Sequence, residues 1–377
     1  MTFDRKGYIS KSKRIVIKIG SSLLTDSKKM GIRARFLNQM AEQVKKLTDS
    51  GLQCVIVTSG AIAAGMFELG LGKRPKEMAK LQALAAVGQS SLMHQYKTAF
   101  KRRGLKVAQI LLTREDLSNR GRYSNAHNTF MELFDNGIIP IVNENDSVAV
   151  EEIKFGGNDT LGVLVAHLCE SDLLVLLTDT DGFFNEDPRL NPRAELISEV
   201  VKLDPQMEKS ASLSQSVVGT GGMQTKIQAA KSMMRSGIPM VIANGNTPSV
   251  LNRILNSEKI GTFFQPSTQK MPSRKRWLAW SVNPKGAIIV DEGAKAALIH
   301  KDKSLLPTGI KMLSGIWEKG EVVKISDADG KEIARGISNY SSRELELIKG
   351  MKTSEISKRL GHVAADEVVH RDNLVKI

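Results

Sequence analysis

Residues 219–226 read GTGGMQTK. Three glycines, two threonines and a closing lysine suit a phosphate cradle, because glycine lets backbone N–H groups approach phosphate oxygens and a helix N-terminus favours negative charge. A P-loop places a glycine directly before its lysine, and here Thr225 stands in that position. Two more stretches, KIGSS (18–22) and TSGAIAAG (58–65), have the same glycine-rich form. Taken singly, each reads equally well as a turn that ends a strand. Lys18 interrupts the apolar run IVIKIG (15–20), where an unpaired buried ammonium would be costly. It therefore has a partner or a function, or it lies on an edge strand facing solvent. Two lysines, Lys18 and Lys226, converging on a polyphosphate would neutralise charge on a transferred phosphoryl group, and phosphoryl transfer depends chiefly on such positioning and electrostatics. Asp159 or Asp146 could hold those lysines in place.

The elements that must position these residues follow an α/β pattern. Apolar runs at 14–20, 53–60, 106–113, 137–145, 172–179 and 238–245 read as strands, several of them continuously apolar as strands buried on both faces are. Leu37, Met40, Ala41, Val44 and Leu47 recur at helical spacing and Gly51 follows as a C-terminal cap. Further helices are expected over 79–103, 122–136, 160–169 and 223–236. Alternation of this kind predicts a largely parallel sheet covered by helices, with ligands outside the carboxyl ends of the strands. Those ends are polar and glycine-rich: KIGSS, VTSGAIAAG, VNENDSV with the following KFGGND, and LTDTDG.

At 377 residues the chain is long enough for two or three domains, and its 41% apolar and 25% charged residues exclude global disorder. Two cysteines, both in apolar runs, exclude a disulfide framework and point to a reducing cytoplasm. No run approaches the roughly 18 apolar residues a membrane span needs, so no membrane association is expected. The net charge of +14 lies upstream: residues 278–377 hold 16 Lys and Arg against 14 Asp and Glu. Basic clusters at Arg5–Lys18, Lys97–Lys106 and Lys270–Arg276 read as solvated faces or as anion-attracting ones. Near 263–277 the pattern breaks into Pro, Ser and basic residues. The expected division is a catalytic domain over 1–265, a linker over 266–277 and a small, mostly β domain over 278–377, in which DADG (327–330) supplies a tight turn.

Together the segments VIKIGSSLLT (16–25), VTSGAIAAG (57–65), LLTREDL (111–117), VNENDSV (142–148), GGNDTL (156–161), LLTDTDGFF (176–184), DPRLNP (187–192) and GTGGMQTK (219–226) occur in the order found in the amino-acid kinase family, which the chain resembles over almost its whole length. It resembles most the members that phosphorylate the side-chain carboxylate of L-glutamate at the head of proline biosynthesis. The resemblance implies a central, mostly parallel eight-stranded sheet between helices, with ATP and glutamate over its carboxyl edge. By the same resemblance Lys18 and Lys226 are the catalytic lysines and Asp159 orients them. Ser59, Asp146 and Asn158 would bind glutamate, and Lys18, Thr178, Asp179 and the loop Thr220, Gly221, Gly222, Met223, Gln224, Thr225 and Lys226 would bind ATP. Some family members carry an acidic residue where Gly157 stands, so here contacts to the substrate ammonium fall to Asp146, Asn143, backbone or water.

A glutamate side chain, with a pKa near roughly 4.3, is already ionised at pH 7 and attacks phosphorus without a general base. The six histidines (94, 127, 167, 300, 362 and 370) accordingly show neither metal-ligand spacing nor a nucleophile partner. Mg²⁺ on the ATP phosphates is implied, with proline as feedback inhibitor, a homo-oligomer (dimer or tetramer) and glutamyl phosphate reductase as metabolic partner. The segments RKRWLAW and GAIIVDEGAKAALIHKDKSLLPTGI resemble a PUA domain. Such domains elsewhere bind RNA, but the near-neutral charge here weighs against it. Two rival readings stay open: an enzyme of the same fold acting on aspartate, acetylglutamate, carbamate or uridylate, and an RNA-binding protein with an incidental kinase-like domain.

Overall fold

The computed structural model describes residues 4–26, 31–148, 157–213, 222–266, 270–362 and 364–377. The chain divides into two compact units, Met1–Met271 and Pro272–Ile377. The boundary falls within the stretch 266–277 expected to be a linker, and part of that stretch is ordered: a short helix, Ser273–Arg276, runs into a wider turn at Trp277–Ser281. Arg335 ties that turn to the second unit by donating to the carbonyls of Ala279 (2.9 Å) and Val282 (3.1 Å). The C-terminal unit thus begins before residue 278.

The first unit is built on eight strands: β1 (Arg14–Ile19), β2 (Gln53–Val57), β3 (Lys106–Leu112), β4 (Ile138–Glu144), β5 (Leu173–Thr178), β6 (Glu199–Val200), β7 (Met240–Asn244) and β8 (Thr262–Phe264). They form one sheet in the order β3-β4-β2-β1-β5-β7-β8-β6, parallel throughout except for the β7–β8 pair. Six of the eight are the strands expected from the apolar runs, and the short β6 and β8 are the two without such a signal. Helices α1 (Ala34–Asp49), α2 (Ala61–Glu68), α3 (Met78–Lys101), α4 (Arg120–Asp135), α5 (Gly157–Leu168) and α6 (Met223–Ser236) accompany it. On α1 the residues at helical spacing, Leu37, Met40, Ala41, Val44 and Leu47, are all buried, and Gly51 has the positive φ (+87°) of a residue that follows a helix C-terminus.

β5, apolar up to its final Thr178, and β1, apolar except for Arg14 and Lys18, occupy the middle of the sheet and are buried nearly end to end. Because β1 lies centrally, between β2 and β5, Lys18 is not an edge-strand lysine facing solvent; it is only 5% exposed. From β1 the chain moves out to one side through β2, β3 and β4, then crosses back to β5 on the other side of β1. That reversal is a topological switch point, where the loops diverge and leave a crevice at the carboxyl ends.

The stretch TSGAIAAG has a different local role from the one its glycines suggest. Only Gly60 (φ +97°) is a turn residue, at the start of α2. Gly65 lies inside α2, where a Cβ would come within 2.0 Å of the Leu84 carbonyl oxygen, and a Cβ on Gly88 of α3 would come within 1.9 Å of the Ala61 carbonyl oxygen. These glycines let two helices touch backbone to backbone. Gly88→Ala is therefore expected to destabilise the protein by about 1–3 kcal/mol or more through overpacking, read as a fall in the urea or thermal midpoint. An unchanged midpoint would show that the helices part freely.

The second unit has a five-stranded sheet of β9 (Gly286–Val290), β10 (Ile310–Gly315), β11 (Val322–Ser326), β12 (Glu332–Ile337) and β13 (Leu374–Lys376), ordered β10-β9-β11-β12-β13. The DADG turn joins β11 to β12, with Gly330 at φ +78°. Among the described residues no helix is long and apolar enough to cross a membrane.

Candidate active site

Lys18 is the penultimate residue of β1, beside Leu176 of β5, and it reaches the carboxyl edge at the switch point. Asp159 sits in the first turn of α5, which packs over β1. Gly162, one turn further on, faces the Lys18 stem: a Cβ there would lie 3.4 Å from Lys18 Cβ, in van der Waals contact with it. Lys226 is the fourth residue of α6, whose N-cap is Gly222.

These elements bring three charges together. Lys18 Nζ is 2.5 Å from Asp159 Oδ1, and Lys226 Nζ is 3.2 Å from Asp159 Oδ2. The Thr225 hydroxyl donates to Asp159 Oδ2 at 2.8 Å, with the Gly222 carbonyl also 2.8 Å away. Asp159 is fully buried, and both lysine side chains are 7% exposed. Burial alone would raise the Asp159 carboxyl, but Lys18 and Lys226 on either side hold it well below the usual carboxylate range. Burial lowers Lys18, and Asp159 counters this. Two ammonium groups on one carboxylate leave a net positive charge in a buried place, an arrangement that suits a polyanion.

A second, uncharged network adjoins it. Asn158, next to Asp159, donates through Nδ2 to the Thr58 carbonyl and to Asn143 Oδ1 (2.8 Å). Asn143, on β4, donates in turn to Gln89 Oε1 of α3 (2.8 Å). Thr58 Oγ1 lies 2.8 Å from the buried Tyr96 hydroxyl. Ser59 follows Thr58 and is half-buried beside Gly60. Asp146, on the turn after β4, lines a cavity of about 260 Å³ with Gln89, Gln109, Glu144 and Asn145.

At the end of β5 the Thr178 hydroxyl donates to Asp179 Oδ1 (3.1 Å), and the Asp179 carboxylate is close enough to act on Lys18. Of the loop assigned to ATP, Gly222, Met223, Gln224, Thr225 and Lys226 open α6, while Thr220 and Gly221 lie outside the described residues. Thr225 lies against Asp159, a placement that its position before Lys226 did not signal. Gln89 carried no motif signal, and Thr58, though it opens TSGAIAAG, was not singled out, since these contacts span 54 and 100 residues of sequence. Among the described residues no group of three or more His, Cys, Asp or Glu side chains could hold a metal ion.

The family model described as the amino acid kinase family matches residues 13–244, the unit that holds this site, and that of the PUA domain matches residues 286–360. The chain belongs to the amino acid kinase family. Relatives matched over nearly the whole length include glutamate 5-kinases: the chain is 48% identical to that of Geobacter sulfurreducens over 98% of this chain and 99% of the relative. Against the glutamate 5-kinases of Caldanaerobacter subterraneus and Pseudomonas savastanoi the identity is 49% and 45%, over 96% and 97% of this chain and 97% and 99% of theirs.

Proposed function

We propose that the protein transfers the γ-phosphoryl group of ATP to the side-chain carboxylate of L-glutamate, giving L-glutamyl 5-phosphate in the first step of proline biosynthesis. The observation that carries the transfer chemistry is the buried Lys18–Asp159–Lys226 cluster at the carboxyl edge of the sheet. The choice of glutamate rests on the whole-length relatives.

In this reading a carboxylate oxygen of glutamate attacks the γ-phosphorus, a new P–O bond forms, the bond from phosphorus to the β–γ bridging oxygen breaks, and ADP leaves with that electron pair. No proton is abstracted. Lys18 and Lys226 offset charge on the equatorial and bridging oxygens, and Asp159, held by Thr225, fixes both ammonium groups so that little reorganisation accompanies the reaction. Thr178, Asp179 and the start of α6 from Gly222 to Lys226 would lie along the nucleotide. Ser59, Asp146 and Asn158 would lie along glutamate. Mg²⁺ would arrive on the ATP phosphates and supply further charge neutralisation, a setting in which the protein's own contribution is the two lysines. A cytoplasmic setting fits two buried cysteines, Cys54 and Cys169, that form no disulfide, and burial pushes the Cys54 thiol up to about 12.

Proline as feedback inhibitor, a dimeric or tetrameric assembly and a glutamyl phosphate reductase that consumes the labile product belong to the same reading. The PUA-like unit has a structural or regulatory role in it, with RNA binding disfavoured by near-neutral charge. Trapping the acyl phosphate with hydroxylamine tests the activity: hydroxamate should form with ATP and glutamate, require Mg²⁺ and fall when proline is added. Product formed only with aspartate, acetylglutamate, carbamate or uridylate as acceptor would replace glutamate in this assignment.

A further inference from the structure

The hydrogen-bond chain behind the site has a fixed polarity. A backbone carbonyl only accepts, so the Asn158 atom that meets the Thr58 carbonyl oxygen is the amide nitrogen. The Asn143 atom that meets the same nitrogen must then be its oxygen, and Asn143 is left to donate to Gln89 Oε1. Both N–H bonds of Asn158 are thereby used, and its Oδ1 has no hydrogen-bond partner among the described residues. Asn143 is 2% exposed and Gln89 is 9% exposed, so neither can exchange this arrangement for contacts with bulk water. Gln89 Nε2 ends the chain, buried and without a partner, in the wall of the 260 Å³ cavity that Asp146 also lines.

From this polarity we infer that Gln89, acting through Asn143, is a positioning residue that holds Asn158 with its side-chain oxygen toward the acceptor substrate, so that Asn158 recognises an ammonium group rather than a carboxylate. The inference rests on the assignment of an amino-acid acceptor above, and it names what stands in for a carboxylate where this chain has Gly157. An amide oxygen locked outward accepts from an ammonium but repels a carboxylate, so the site would reject an acceptor that keeps both carboxylates and lacks the amino group. Asn158 is half-buried, and leaving its acceptor unpaired beneath a bound ligand is costly, which makes the rejection strong.

The test compares L-glutamate with glutarate, its analogue without the amino group, as acceptor in the hydroxylamine assay. The wild type should use glutarate about 10- to 100-fold less efficiently in kcat/KM, the range expected for a hydrogen bond to a charged group. Asn158→Leu should bring that ratio close to one by losing glutamate efficiency selectively. Gln89→Met, close to isosteric, should raise KM for glutamate about tenfold and shrink the ratio, with KM for ATP unchanged, while Gln89→Glu, which keeps an acceptor for Asn143, should restore most of the discrimination. A Gln89 that served packing alone would leave the ratio untouched. Equal use of glutarate and glutamate by the wild type, or an unchanged ratio in Asn158→Leu, overturns the inference. If Gln89→Met does not fold, those two measurements still decide it. Absence of hydroxamate from the wild type with glutamate is a different outcome, one that removes the acceptor assignment itself.

Discussion

Lys226→Met and Lys18→Met should each lower kcat about 10²- to 10³-fold, equivalent to about 3–4 kcal/mol of transition-state stabilisation, the scale of losing one preorganised donor. Methionine keeps the approximate length of lysine and removes the charge. Neither change should unfold the protein, because each leaves Asp159 with a partner: Lys18 remains in one variant, and Lys226 with Thr225 in the other. The two should differ in KM. Lys18, on a rigid central strand, should also weaken ATP in the ground state, whereas a lysine that acts only as charge develops lowers kcat with little change in KM. Exposed Lys101 serves as the control, and Lys101→Met should leave both constants alone. Steady-state kinetics on folded variants check this; near-normal kcat in either would leave the lysine cluster a structural ion pair.

Asp159→Asn should do comparable harm by a different route, and the signature is in the pH dependence. The isosteric amide leaves two buried ammonium groups without their shared counter-charge. Burial already lowers Lys18, Lys226 lowers it further, and Asp159 is the chief group that raises it. Removing the carboxylate therefore moves Lys18 downward again. The active form needs that proton, so the variant should lose activity as pH rises through a lower value than the wild type, and the deficit should widen toward alkaline pH. Its kcat near neutrality should fall about 10²-fold. Stability carries the matching sign. The Asp159 carboxyl is depressed in the folded state, so its contribution is present above the ordinary carboxylate pKa, about 4, and is lost as pH falls through the folded value. Asp159→Asn should lack that acid-limb loss while being less stable near neutrality by about 3–5 kcal/mol, as broken buried ion pairs are. A pH-independent deficit, or an unchanged midpoint at neutral pH, would show that Asp159 does not hold the lysines.

Much of this unit is legible in one dimension, for a physical reason. Strands covered on both faces must be apolar along their length, so β1 and β5 announce themselves, and the one charge beyond the first residue of β1 marks Lys18 as a residue that needs an account. Helix α1 is likewise readable because one buried stripe forces a 3.6-residue period. The short strands β6 and β8, of 2 and 3 residues, have too few side chains to show any period.

Composition and spacing thus determined the α/β class, the second β-rich unit and the identity of the charged residues, since burial and phosphate chemistry each restrict residue type at the position itself. Which partners those residues have was decided only by the tertiary structure. By residue type alone Asp159 and Asp146 could each hold the lysines, and the family resemblance favoured Asp159; the packing of α5 over β1 places Asp159 between Lys18 and Lys226 and leaves Asp146 on a turn beside a cavity. The glycines of TSGAIAAG looked alike, yet Gly60 turns the chain and Gly65 admits a neighbouring helix, a distinction set by a backbone 19 residues away at Leu84. The amide chain from Gln89 to Thr58 has no local signature as a chain, although Asn143, Asn158 and Thr58 each stand in a recognisable segment. Its polarity comes from one carbonyl that can only accept, and that constraint exists only once four distant segments meet.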